Sequence, residues 1–125
     1  MKWHVFEAWL LLVYFELVMR FRGLKQVREI VRRQKVRLVS DAHRSSSSAL
    51  CHAIDLACIF YFRRVFCLQR SAATVLLLRR HGWEADMVIG SQVLPFKSHA
   101  WAEIKGAIVN DKPYMQDIYR VLDRC

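Results

Sequence analysis

Apolar side chains nearly fill residues 3–19, and only His4, Glu7 and Glu16 interrupt the run. A stretch that is apolar nearly all round predicts one helix over residues 2–22, buried on several sides or docked onto another protein. Gly23 ends it. The two carboxylates weigh against a bilayer span, which needs about 20 apolar residues in a row. A soluble or interfacial helix fits better, and a membrane-inserted helix stays open as the less favoured alternative. Residues 24–38 predict a second helix, with Leu24, Val27, Ile30, Val31 and Leu38 on one face and Arg28, Arg32, Arg33, Lys35 and Arg37 toward water. Residues 40–48 form a polar break, and one serine near 46–48 is placed to cap a third helix over 48–62. Leu50, Ile54, Ala57, Cys58 and Tyr61 line one side of that helix. After Arg63-Arg64-Val65-Phe66, a fourth helix opens at Cys67 and carries Leu68, Ala72, Val75, Leu76 and Leu78. Arg79-Arg80-His81 complement the negative end of its dipole, and Gly82 stops it.

The period then changes. Ala85–Val93 has strand character, Leu94–Lys97 is a loop, and His99–Ile104 and Ala107–Asp111 alternate about Lys105-Gly106, a hairpin signal. Residues 114–123, after Pro113, predict a last short helix. Helices followed by a small antiparallel sheet define an α+β layout. We read residues 1–125 as one domain, with 1–44 a helical docking region and 45–125 the core.

Composition sharpens this only in part. The chain has 125 residues, 54% hydrophobic and 25% charged, as expected for one globular domain. Its formal charge of +9 is uneven: residues 1–80 carry 15 Lys/Arg against 5 Asp/Glu, and residues 81–125 carry 5 against 6. The clustered arginines of 28–37 attract nucleic acid or anionic lipid as readily as protein. With no nucleic-acid-binding motif beside them, protein or peptide contacts are favoured and no nucleic-acid partner is expected. The four cysteines, Cys51, Cys58, Cys67 and Cys125, form no C-x-x-C pair and suit a reducing cytoplasm better than a disulfide framework.

Cys67, His99 and Asp111 carry the candidate chemistry. A cysteine at a helix start meets free N–H groups and the positive dipole end, which favour the thiolate and offer the Cys67 N–H as an oxyanion donor. A histidine and an aspartate on neighbouring strands can serve as base and orienting acid. A three-residue turn over Ile104-Lys105-Gly106 would set residue 99 opposite residue 111. A two-residue turn would pair His99 with Lys112 and count against that arrangement. The plain alternatives are a buried free cysteine and a surface hairpin. Cys51, His52 and Cys58 lack a fourth metal ligand at normal spacing, so core packing is expected there and no metal or cofactor is called for.

Cys67-Leu68-x-Arg70-Ser71, Arg79-Arg80-His81-Gly82, Val88-Ile89-Gly90, Pro95-Phe96-x-x-His99-Ala100-Trp101-x-Glu103 and Asn110-Asp111 together resemble the lasso-peptide leader peptidases. These are the transglutaminase-like B-proteins of bacterial lasso-peptide biosynthesis. The similarity runs over about residues 62–112. It implies a transglutaminase-like, papain-like cysteine peptidase of the cytoplasm with Cys67 as nucleophile, His99 as base and Asp111 as orienting acid. It also implies a precursor peptide as substrate, a leader-recognition protein as partner and a lasso cyclase downstream. Because the first 40 or so residues read as helices and not as a small winged sheet domain, the split form with a separate recognition protein is expected. Phe66 before the cysteine and Ala72-Ala73-Thr74 after it depart from the family pattern without touching the triad. Two other readings stay open: a transglutaminase-like acyltransferase, and a basic scaffold or adaptor with no catalysis.

Overall fold

Ser46 stands in extended backbone, and its Oγ accepts a 3.0 Å hydrogen bond from the Ala49 N–H. This cap starts a helix where the serine run predicts one. The computed structural model describes residues 2–38, 46–92, 97–109 and 119–125. They form α1 (Lys2–Phe21), α2 (Gly23–Arg33), α3 (Ser47–Phe60), α4 (Cys67–Arg80), β1 (Ala85–Gln92), β2 (Lys97–Ile104), β3 (Ala107–Ile108) and β4 (Arg120–Arg124). Gly82 takes φ +91°, the left-handed stop expected after α4.

The central helix is α4. Its Ala72, Ala73, Val75, Leu76, Leu77 and Leu78 are buried, enclosed by α1 and α3 on one side and by the sheet on the other. Enclosure on both sides is what an apolar stretch without a polar face requires. Helix α1 buries Ala8, Leu11, Leu12 and Phe15 in the same core, while Trp3, Phe6, Leu10, Tyr14, Leu17 and Phe21 form an exposed outer stripe. No helix among the described residues is long and apolar enough to cross a membrane.

The sheet has the order β3-β2-β1-β4 and is antiparallel throughout. Three details differ from expectation. Helix α2 stops at Arg33, because the chain from Gln34 turns extended to run beside the end of α4. There the Arg37 N–H donates to the Arg79 carbonyl at 2.8 Å, and the buried Arg79 guanidinium donates to the Val31 and Gln34 carbonyls. Residues 120–124 form a strand instead of the end of a helix over 114–123; residues 114–118 lie outside the described residues. The outer edge of β1 offers a row of unmet backbone groups, and pairing them outweighs a short helix. Met87 and Cys125 exchange backbone hydrogen bonds of 2.8 and 3.2 Å there. Third, the hairpin turn has two residues: Lys105 and Gly106, at φ 51° and 84°, join Ile104 to its partner Ala107.

Arg28 and Arg32, read as solvated, hold Asp123 of β4 between them, with Arg28 Nε at 2.9 Å and Arg32 Nη2 at 3.1 Å. The hydrogen bond from Arg28, helped by the charge of both arginines, keeps the Asp123 carboxyl below the usual carboxylate range. A group with a lowered folded pKa contributes stability above its unfolded pKa, about 3.9, and loses it as pH falls through the folded value. Asp123→Asn should therefore flatten the acid side of the stability–pH curve below about pH 4, read by urea melts across that range.

Candidate functional site

Cys67 is the first residue of α4, and its position is fixed from behind. Phe66, at the cap position, has no side-chain acceptor to offer the first-turn N–H groups. Gln69 folds back instead: its Oε1 accepts the Phe66 N–H at 3.3 Å, and its Nε2 donates to the Leu12 carbonyl at 2.7 Å. Gln69 is fully buried, so these two bonds pin the start of α4 to α1. One turn on, on the same helix face, the Ser71 hydroxyl donates to the Ala100 carbonyl at 2.9 Å. That bond ties the helix of Cys67 to the strand of His99, next to the histidine itself.

Cys67 and His99 line one cavity of about 120 Å³, together with Leu24, Leu68, Ile89, Ser98 and Ala100. Cys67 is exposed and His99 is half-buried. Alternation along β2 decides how the imidazole sits. Ala102, opposite Met87, packs into the α4 core, which places His99, Trp101 and Glu103 on the other face. There the His99 ring lies 6.1 Å from Trp101 and 5.6 Å from Tyr119, centroid to centroid. The Trp101 indole donates to the fully buried Glu103 carboxylate at 2.7 Å, and Arg124 of β4 donates to its second oxygen at 2.6 Å. Residues 67 and 99 thus line one cavity, but the imidazole itself is turned to the sheet face away from α4, against an aromatic and ionic ladder. Among the described residues no hydrogen bond joins the Cys67 thiol to the imidazole.

Asp111 lies outside the described residues, as do Asn110, Pro95 and Phe96. The turn bears on it indirectly. Glu103 pairs with Ile108 and Ile104 with Ala107, so the three-residue turn that would set His99 directly against Asp111 is not the one formed. A left-handed Lys105-Gly106 pair makes the shorter loop, whose twist matches the strands.

Gly90 is explained by this ladder. It faces His99 across β1 and β2, and a Cβ there would come within 2.7 Å of the Trp101 ring and 2.8 Å of Tyr119 Cβ. Gly90→Ala should displace the ladder and cost about 1–3 kcal/mol, seen as a lowered thermal midpoint.

The remaining thiols differ from Cys67. Burial, with Asp55 nearby, pushes Cys51 up to about 11, and burial also raises Cys58 and Cys125. Iodoacetamide near neutral pH should therefore alkylate the exposed Cys67 well ahead of the other three, as read by peptide mass mapping. Near Cys67 in sequence, Arg70 pairs with Asp55 of α3 and Arg63 lies 3.9 Å from Glu16 of α1. Among the described residues no group of three His, Cys, Asp or Glu side chains could hold a metal ion. Sequence reading missed Leu24, Gln69 and Tyr119 as parts of the site. It also missed the Glu103–Arg124 pair, although a carboxylate two residues from Trp101 in an apolar strand was its signal.

A helix opening on a cysteine, packed on an antiparallel sheet that carries a histidine, is matched by the family model of the transglutaminase-like superfamily over residues 9–124. The chain belongs to that superfamily. It is also 36% identical over 70 residues to the microcin J25-processing protein McjB of Escherichia coli, covering 54% of this chain and 34% of that protein. The chain thus spans about a third of that relative's length. No solved structure matches the chain.

Proposed function

We propose that the protein is a cysteine peptidase of lasso-peptide maturation that removes the leader from a ribosomally made precursor. The observation that carries this reading is the cavity shared by Cys67, at the start of α4, and His99 of β2. Membership of the transglutaminase-like superfamily and likeness to a microcin-processing protein support it.

In this reading His99 takes the Cys67 proton, and the thiolate attacks the carbonyl at the leader–core junction. The Cys67 N–H holds the oxyanion. His99 returns its proton to the leaving amine of the core, leaving the leader as a thioester on Cys67. Water, deprotonated by His99, then releases the leader acid and restores the thiol. The role of Asp111 as orienting acid rests on the family resemblance alone, since the two-residue turn counts against its standing directly across from His99. For turnover the imidazole must leave the aromatic ladder and turn toward the thiol, a contact that would form only with substrate bound.

The enzyme works in the bacterial cytoplasm with a separate leader-recognition protein and hands the freed core to a lasso cyclase. The exposed stripe of α1 is the docking surface for the recognition protein, residues 1–44 forming the docking region and 45–125 the core. Because Leu12 and Phe15 are buried, the docking test is Phe6→Ser with Leu17→Ser on the outer face, which should weaken recognition-protein binding in a pull-down.

The direct test mixes the protein with its precursor peptide and recognition protein and follows products by mass spectrometry. Release of a free leader acid supports the peptidase. A leader–amine conjugate would indicate acyl transfer instead, and no product with all components bound would leave the scaffold reading.

A further inference from the structure

On the other side of the Phe66–Cys67 step lies a larger cavity of about 410 Å³, lined by Glu16, Met19, Arg20, Arg63, Arg64, Phe66 and Gln69. Phe66 lines this cavity and Cys67 the catalytic one, so adjacent residues join the two. Both also touch the elbow between α1 and α2, through Arg20 on one side and Leu24 on the other. The charge balance is one-sided. Three arginines face a single carboxylate, Glu16, which Arg63 engages at 3.9 Å. Arg20 and Arg64 are exposed and form no ion pair among the described residues. Met19 and the exposed Phe66 ring add apolar surface between the charges.

We propose that this cavity is a specificity subsite for the substrate peptide. It binds an acidic side chain next to an apolar one, within a few residues of the scissile bond. Arg20 and Arg64 pair with the carboxylate, and Phe66 and Met19 receive the apolar neighbour. An extended peptide advances about 3.3 Å per residue, so a chain whose carbonyl sits at Cys67 enters this cavity within a few residues. The subsite rests on the peptidase reading for its role. Its binding chemistry stands apart from turnover.

The test therefore uses Cys67→Ala protein, which cannot turn over. Two fluorescein-labelled peptides of equal length, one of alternating Glu and Leu and one of alternating Gln and Leu, are titrated by fluorescence anisotropy at low salt. The acidic peptide should bind about tenfold more tightly than its Gln twin, and Arg20→Gln with Arg64→Gln should remove that preference. Both positions are exposed, so the double variant should keep the wild-type circular dichroism spectrum. Equal binding of the two peptides, or a preference untouched by the double variant, overturns the subsite. The peptidase reading fails separately, if wild type with precursor and recognition protein releases no leader.

Discussion

Replacing Cys67 by alanine is expected to lower leader removal about ten-thousandfold or more while leaving the fold intact. The thiol is exposed at the start of α4, so its loss opens no void in the core. What is lost is the nucleophile, and the oxyanion donor and substrate contacts leave only a small residual rate. His99→Ala should fall nearly as far, because an unassisted thiol is a weak nucleophile near neutral pH. Asp111→Asn should retain weak activity, since it alters only how the imidazole is held. Combining Cys67→Ala with His99→Ala should be little worse than either alone, because residues that act as a unit are not additive. Initial rates of leader release, followed by chromatography with matched unfolding curves, check the whole series. Full activity in Cys67→Ala would end the peptidase account.

Replacing Arg79 by methionine should have the largest effect on stability, a loss of about 3–5 kcal/mol. Its guanidinium sits where four segments meet. It donates to the carbonyls of Val31 in the last turn of α2 and of Gln34 just after it, of Ala85 at 2.8 Å on β1 and of Cys125 at 2.8 Å beyond β4. Asp86 lies 3.5 Å away. Burial pulls the Arg79 pKa down, against the opposing pull of Asp86. Methionine fills much of the volume but takes a donor from four carbonyls, of which those of Val31 and Cys125 keep a backbone N–H from Gln34 and Met87; each buried group left unmet costs about 1–3 kcal/mol. Arg79→Lys should rescue only part of the loss, because one ammonium cannot reproduce the planar fork. Urea unfolding followed by tryptophan fluorescence measures both variants. A methionine variant within about 1 kcal/mol of wild type would show that this junction is not a keystone.

Local signals in the chain went as far as local physics reaches. The cap at Ser46, the opening of α4 at Cys67, the stop at Gly82 and β1 from Ala85 all follow from side chains acting within a turn or a strand. The elements set by distant partners were not legible. Residues 34–38 carry helix-compatible side chains, yet Arg79, more than 40 positions away, draws them extended. Residues 120–124 look helical in isolation, but the open edge of β1 and the arginines of α2 make them a strand. The same holds for the candidate site. The motifs put Cys67 at a helix start and His99 on a strand, because both are local features. Period-two alternation accounts for His99 lying beside Trp101. It could not show that Tyr119 packs against His99 or that Arg124 reaches Glu103, since both come from the far end of the chain. Gly90 read as a family residue, and only the Trp101 ring against it gives its reason.

The central claim is that Cys67 carries the leader as a thioester. Its most direct test is intact-protein mass spectrometry on samples acid-quenched during turnover of the precursor with the recognition protein present. The account predicts a transient adduct equal to the leader mass less one water, mapped to Cys67 and absent in Cys67→Ala. Leader release at full rate with no adduct, and with Cys67→Ala equally active, would contradict it.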